Sequence, residues 1–161
     1  MIDATYLAEL LRKGHTDDPW HGPSTTDALQ GLTAEQAAAH PIAGAHSIWE
    51  IVLHLAAWHG EVSRRLEGQA PTQPAEGDWP QVGEVSEAAW RAARERLDAA
   101  VGNLREGLER LSAGDLDRTG GSIADRALGT GVTHRTMVVG VLQHDAYHSG
   151  QIVLLRKALA R

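Results

Sequence analysis

Cysteine is missing from all 161 positions. That excludes a disulfide framework, a Cys-based zinc site, an iron–sulfur cluster and a thiol nucleophile on the protein itself. Basic charge is scarce as well: 15 Lys and Arg stand against 21 Asp and Glu, a formal charge of -6. Nothing in that balance draws the chain to nucleic acid or to an anionic membrane, and neither is expected as a partner. Long apolar runs are lacking too. The stretch 137–142 is among the longest, far short of the roughly 20 residues a spanning helix needs. The opening Met1-Ile2-Asp3-Ala4 has neither the basic start nor the apolar stretch of a secretory signal. The expected location is the cytoplasm.

What is present is helical periodicity. The length fits one compact domain over 1–161, and no stretch shows a convincing strand alternation. A first helix is expected over about 3–13, ending at Gly14, on the spacing of Tyr6, Leu7, Leu10 and Leu11. Short helices follow, one through Leu29 and one over 33–39, where Thr33 and Gln36 fit a capping box. A second long helix starts at Ser47, with Glu50 completing an S-x-x-E box, and carries Ile48, Ile51, Val52, Leu55, Val62 and Leu66 to Gly68.

A Gly/Pro-rich linker over 68–83 contains Asp78-Trp79-Pro80, its tryptophan expected to pack down as an anchor. A third helix over about 86–111 places Trp90, Ala93, Leu97, Val101, Leu104 and Leu108 on one stripe and leaves charged faces, Arg94 among them, to solvent. The stretch 114–131 reads as a flexible crossover; its glycines lack the Lys-Ser/Thr ending of a phosphate loop. A fourth helix runs from about Thr133 to the C-terminus, with Met137, Val138, Val141, Leu142, Ile152, Leu155 and Leu159 buried. The expected fold is all-α, a four-helix bundle with long connections that need not thread up and down in turn.

Nine histidines are available. His144 and His148 replace hydrophobes in the core-facing seam of the fourth helix, and at i and i+4 they project one turn apart from one face, where two imidazoles can reach a common metal. Two neutral, hydrogen-bonded core histidines are the plainer alternative. A third ligand would come from the second helix, where His54 on the flank of the stripe and His59 well inside it both qualify; periodicity does not choose between them. His-Asp-Ala-Tyr-His differs from the zinc-protease motif by carrying Asp145 where that motif has Glu, which speaks against a protease.

The stretch 46–58 (HSIWEIVLHLAAW), the Asp78-Trp79-Pro80 loop and the string 143–152 (QHDAYHSGQI) resemble the DinB/YfiT-like family, as does the Trp20-His21-Gly22-Pro23-Ser24 segment. The resemblance implies a four-helix bundle of DinB/YfiT type with a divalent metal, zinc or nickel, held by His54, His144 and His148; on this match His54 is taken over His59. Characterised members include transferases and isomerases that use low-molecular-weight bacterial thiols such as bacillithiol or mycothiol. They also make a homodimer an expectation.

Three neutral imidazoles leave the cation's charge uncompensated and a coordination position open, as at catalytic sites. Such a metal can hold a sulfur as thiolate, and with no cysteine in the chain that sulfur must arrive on a small molecule. The expected function is therefore a metal-dependent S-transferase joining a low-molecular-weight thiol cosubstrate to a small electrophile. The alternatives are a hydrolase using metal-bound hydroxide and a non-catalytic metal-binding stress-response bundle. Around the ligands, Glu50 is placed to accept the free ring N–H of His54 or to stay in its capping box. Asp145 is expected to orient an imidazole or pair with an outer helix. Gln151 could bond a ligand or substrate, while Tyr147 reads mainly as packing. His21 and His46 are pocket-lining candidates. Gly140 and Gly150, costly inside a helix, are read as permitting close helix approach near the metal.

Overall fold

The computed structural model describes residues 3–119, 125 and 128–160. Four long helices, α1 (Ala4–Thr16), α4 (Ile48–Leu66), α5 (Glu87–Glu109) and α7 (His134–Leu159), are accompanied by three short ones, α2 (Thr25–Leu29), α3 (Ala34–Ala38) and α6 (Ala113–Leu116). No strand occurs among the described residues beyond an isolated bridge between Thr119 and Thr133. No described helix is long and apolar enough to cross a membrane.

The long helices close a ring in which α1 packs on α5, α5 on α4, α4 on α7 and α7 on α1. Successive long helices are therefore neighbours only for α4 and α5. The chain passes between diagonal positions from α1 to α4 and again from α5 to α7, which is what the long connections accomplish.

Each start is chemically marked. Asp3 accepts from the Tyr6 amide at 2.8 Å to open α1, and Thr33–Gln36 and Ser47–Glu50 form full capping boxes at α3 and α4. Ser112–Asp115 forms a third box at α6. These side chains satisfy amides that the helix leaves without partners. At α1 the helix runs through Gly14 to Thr16, three residues beyond the expected end. A glycine costs only about 1 kcal/mol in a helix, and here buried His15 on the next position bonds Asp98 of α5 at 2.7 Å, tying the last turn to the bundle.

The core is built from the expected stripes. Leu7, Leu11, Ile48, Ile51, Leu55, Trp90, Leu97, Leu104, Leu108 and Ile152 are fully enclosed, each large apolar side chain contributing roughly 1.5–3 kcal/mol by leaving water. The Trp90 indole N–H donates to the Leu32 carbonyl at 3.1 Å, so its one polar atom is satisfied inside. On α7 the buried stripe is narrower than expected: Val138, Val141, Ile152 and Leu155 are buried, whereas Met137, Leu142 and Leu159 are only half-buried. Arg94 is likewise half-buried, its guanidinium 5.4 Å from the Trp90 ring centroid.

The expectation for Gly140 and Gly150 is overturned. Both are exposed, and a Cβ at either would meet nothing within 4 Å. No neighbouring helix presses on them because they lie on the solvent side of α7. The crossover reading of 114–131 falls partly on residues outside those described; within it, α6 and the Thr119–Thr133 bridge are ordered elements.

Candidate metal centre

Helices α4 and α7 bring His54, His144 and His148 together, with one nitrogen of each lying within 4.8 Å of the other two. The contact is closest at Nε2: His54 and His144 approach to 2.9 Å, His144 and His148 to 3.0 Å. The i, i+4 spacing on α7 and burial of the α4 face account for the meeting.

The donor set fits a cation. The Nδ1–H of His54 donates to the Asp78 carbonyl at 2.6 Å, and the Nδ1–H of His148 to Gln151 Oε1 at 2.6 Å. A neutral imidazole that spends its proton at Nδ1 presents a lone pair at Nε2. His144 lies between two such lone pairs and could offer a proton to only one. Burial, followed by the neighbouring histidines, lowers the His144 pKa to about 4, and burial followed by His54 lowers that of His148 to about 4; burial also lowers His54. All three are therefore neutral near pH 7, and the lone pairs of His54 and His148 face His144, an arrangement in which all three rings can donate to one cation. The set could hold a divalent metal.

The surroundings contain more than periodicity could reveal. Trp79 does pack down, and its partners are imidazoles. Its ring stacks on His54 at 3.9 Å and 10° and on His46 at 3.5 Å and 6°. The adjacent Asp78 holds the loop from both of its polar groups, its carbonyl accepting from His54 and its carboxylate accepting from the Trp58 indole at 2.7 Å. Together these fix the orientation of the α4 imidazole, the role that hydrogen bonds behind a metal ligand perform.

Glu50 does not reach His54. Its carboxylate accepts from the Ser47 amide at 2.7 Å and lies 3.0 Å from His40 Nε2 and 3.6 Å from His46 Nδ1. The unsatisfied amides of the first turn, one turn back from His54, claim it. Gln151 is bonded to His148 as above, and its amide N–H donates to the Tyr147 hydroxyl at 2.9 Å. Tyr147 is exposed beside His148 rather than packed in the core.

Asp145 orients an imidazole, that of His59. His59 Nδ1–H donates to the Leu55 carbonyl at 2.6 Å and Nε2–H to Asp145 Oδ2 at 3.1 Å. Both ring nitrogens thus face acceptors, which favours imidazolium. Burial opposes that charge most strongly of any one effect, but the Asp145 carboxylate and the Leu55 carbonyl together raise the His59 pKa. The second oxygen, Oδ1, is buried without a hydrogen bond.

Two cavities flank this region. One of about 300 Å³ is lined by Ile42, Gly44, Ala45, His46, Ile51, Gln151, Leu154 and Leu155. Another, of about 650 Å³, lies between α1, the following loop and α7, with His21 and Asp145 in its wall. Both pocket-lining candidates, His46 and His21, therefore line cavities.

A second polar cluster lies farther along α4. Arg65 Nε donates to Glu61 Oε1 at 2.7 Å, with both side chains 3% exposed. Arg65 also donates to the carbonyls of Leu128 at 2.6 Å and Thr72 at 3.0 Å, and the Thr72 amide returns a bond to Glu61 at 2.9 Å. The i, i+4 Glu–Arg spacing was visible in the sequence; its burial beneath two loops was not.

No match to the chain was found among curated proteins or solved structures. A family model, described as the DinB superfamily, matches residues 20–152 and so takes in α4, the Trp79 loop and the α7 histidines. On that match, over most of its length, the chain belongs to the DinB superfamily.

Proposed function

We propose that the chain is a metal-dependent S-transferase that joins a low-molecular-weight thiol to a small electrophile, with zinc or nickel held by His54, His144 and His148. The observation that carries this reading is the convergence of three neutral Nε2 atoms, two of them with their protons committed to Asp78 and Gln151. Neutral ligands supply no countercharge, and three of them leave room for an anionic ligand from outside the protein. When bound, the metal would supply Lewis acidity that favours the thiolate form of the incoming sulfur.

The chain's own part is positioning. Trp79 and the Asp78 carbonyl hold the His54 ring, while Gln151 holds that of His148 and steadies the Tyr147 hydroxyl at the exposed rim. In the reaction the S–H proton leaves to solvent, the sulfur lone pair forms a bond to the electrophilic carbon, and the leaving group departs with the electrons of its former bond. Because the sequence contains no cysteine, the sulfur belongs to a cosubstrate.

The test is incubation of protein loaded with zinc or nickel with a panel of small thiols and a chloronitroarene or alkyl iodide. Conjugation that disappears on chelation and in His144→Ala supports transfer. Turnover of esters without any thiol would favour a hydrolase instead, and metal binding without either activity would favour a non-catalytic role in stress response.

A further inference from the structure

The 300 Å³ cavity lies one to two turns along the helices from the histidines: Ile51 precedes His54 by three residues on α4, and Gln151, Leu154 and Leu155 follow His148 by three, six and seven on α7. Its lining is divided by chemistry. Ile42, Gly44, Ala45, Ile51, Leu154 and Leu155 give an apolar bowl, while its two polar side chains, His46 and Gln151, are the ones linked to the metal centre. His46 stacks on Trp79, which stacks on His54, and Gln151 accepts from His148. The mouth is edged by side chains that water would otherwise disfavour, with Leu154 61% exposed and Ile42 43% exposed.

We infer that this cavity is a binding site for the apolar part of the electrophilic substrate, a short alkyl chain or a single ring, with Leu154, Ile42 and Ala45 setting its size. The inference rests on the transfer reading for the identity of its ligand, but the cavity itself binds without metal or thiol. Its volume is at the small end of ligand pockets, which excludes a bulky occupant. Gln151 bonds the Nδ1 side of the His148 ring and His46 stacks on Trp79, so the polar side chains of the cavity are the ones joined to the metal centre, and a molecule with one polar reactive end and one apolar end places its polar end at them. Tyr147 and Leu154 lie on the exposed side of α7, where such a molecule enters.

The experiment uses n-alkanols from propanol to octanol as probes, titrated into the metal-free full-length protein and followed by two-dimensional amide NMR. Affinity should rise about fourfold for each methylene that enters the cavity and then level off once it is full. The shifts should centre on Ala45, Ile51, Gln151 and Leu154. Leu154→Glu, an exposed position whose replacement leaves the core intact, should abolish the chain-length dependence, and Leu154→Met should restore it.

The second arm compares kcat/KM for hexyl and methyl iodide with metal and thiol present; the hexyl preference should fall at least tenfold in Leu154→Glu. Length-dependent alkanol binding without transfer upholds the cavity and removes the transfer reading. Transfer with no length preference in either arm overturns the cavity. A dimer that Leu154→Glu dissociates, with no alkanol bound by the wild-type protein, also overturns it and assigns the face to a second copy of the chain.

Discussion

Replacing His59 by leucine should destabilise the metal-free protein by about 3–5 kcal/mol, the usual cost of leaving one member of a buried ion pair without the other. The geometry places the change at the upper end of what single substitutions do. His59 is 2% exposed and Asp145 14%, they meet at 3.1 Å, and the other oxygen of Asp145 already lacks a partner. For a chain of this length each kcal/mol moves the melting temperature by roughly 2–4 °C, so a fall of about 6–20 °C is expected. The assay is urea and thermal unfolding in chelator at pH 6. The double variant His59→Leu, Asp145→Leu should recover most of the loss, because an apolar pair leaves no buried charge. The pH dependence has a definite sign. His59 has a raised pKa in the folded state, so its contribution is complete below the ordinary value of about 6.5 and is lost as pH rises through the folded value. The gap between wild type and His59→Leu should therefore be widest in acid and narrow in base. A loss below 1 kcal/mol, or a double variant no better than the sum of the singles, would refute the coupling.

Other outcomes follow from the same geometry. Zinc or nickel at a hundredfold above its Kd should stabilise the wild-type protein by about 2.7 kcal/mol, a rise of roughly 5–11 °C, and His144→Ala should show no rise in differential scanning. Because His144 and His148 stay neutral down to about pH 4, metal should be retained at pH 5.5 and lost as pH approaches 4; half-loss near 6.5 on dialysis and elemental analysis would contradict this. The same depressed groups make the metal-free fold weaken as pH falls from about 6.5 toward 4, since only the unfolded chain takes up their protons in that window. Gly140→Ala and Gly150→Ala, at open positions inside α7, should each stabilise by about 0.8–1 kcal/mol in denaturant melts. Trp79→Ala should weaken metal affinity by about tenfold or more in calorimetry, the usual effect of removing support behind a ligand.

The sequence made the helices legible because their starts are chemical and local: Ser47 with Glu50 and Thr33 with Gln36 need nothing beyond three residues. It also exposed the α7 pair, since histidines at i and i+4 in an apolar seam are a pattern on one helix. His54 against His59 was a different kind of question. The two stand five residues apart, about 7.5 Å along the axis and about 140° around it, and which of them meets His144 depends on how α7 is set against α4 in both offset and rotation. That offset is a property of packing, and only the family resemblance could anticipate it. The partners lying on loops, Asp78 and Trp79 behind His54, carry no period at all. Gly140 and Gly150 misled because a glycine that relieves crowding and one that merely leaves a face bare look the same in a sequence.

Composition makes the segment between α4 and α5 look like slack, yet it is clamped to α4 at two heights. Glu61 and Arg65 hold Thr72, and His54 and Trp58 hold Asp78. Between the two clamps Pro74 is buried and Glu76 pairs with Arg96 of α5, so little of the stretch is free. A single residue added between Thr72 and Asp78 would therefore push Trp79 off its histidines, so for an engineer this glycine-rich loop behaves as a ruler of fixed length.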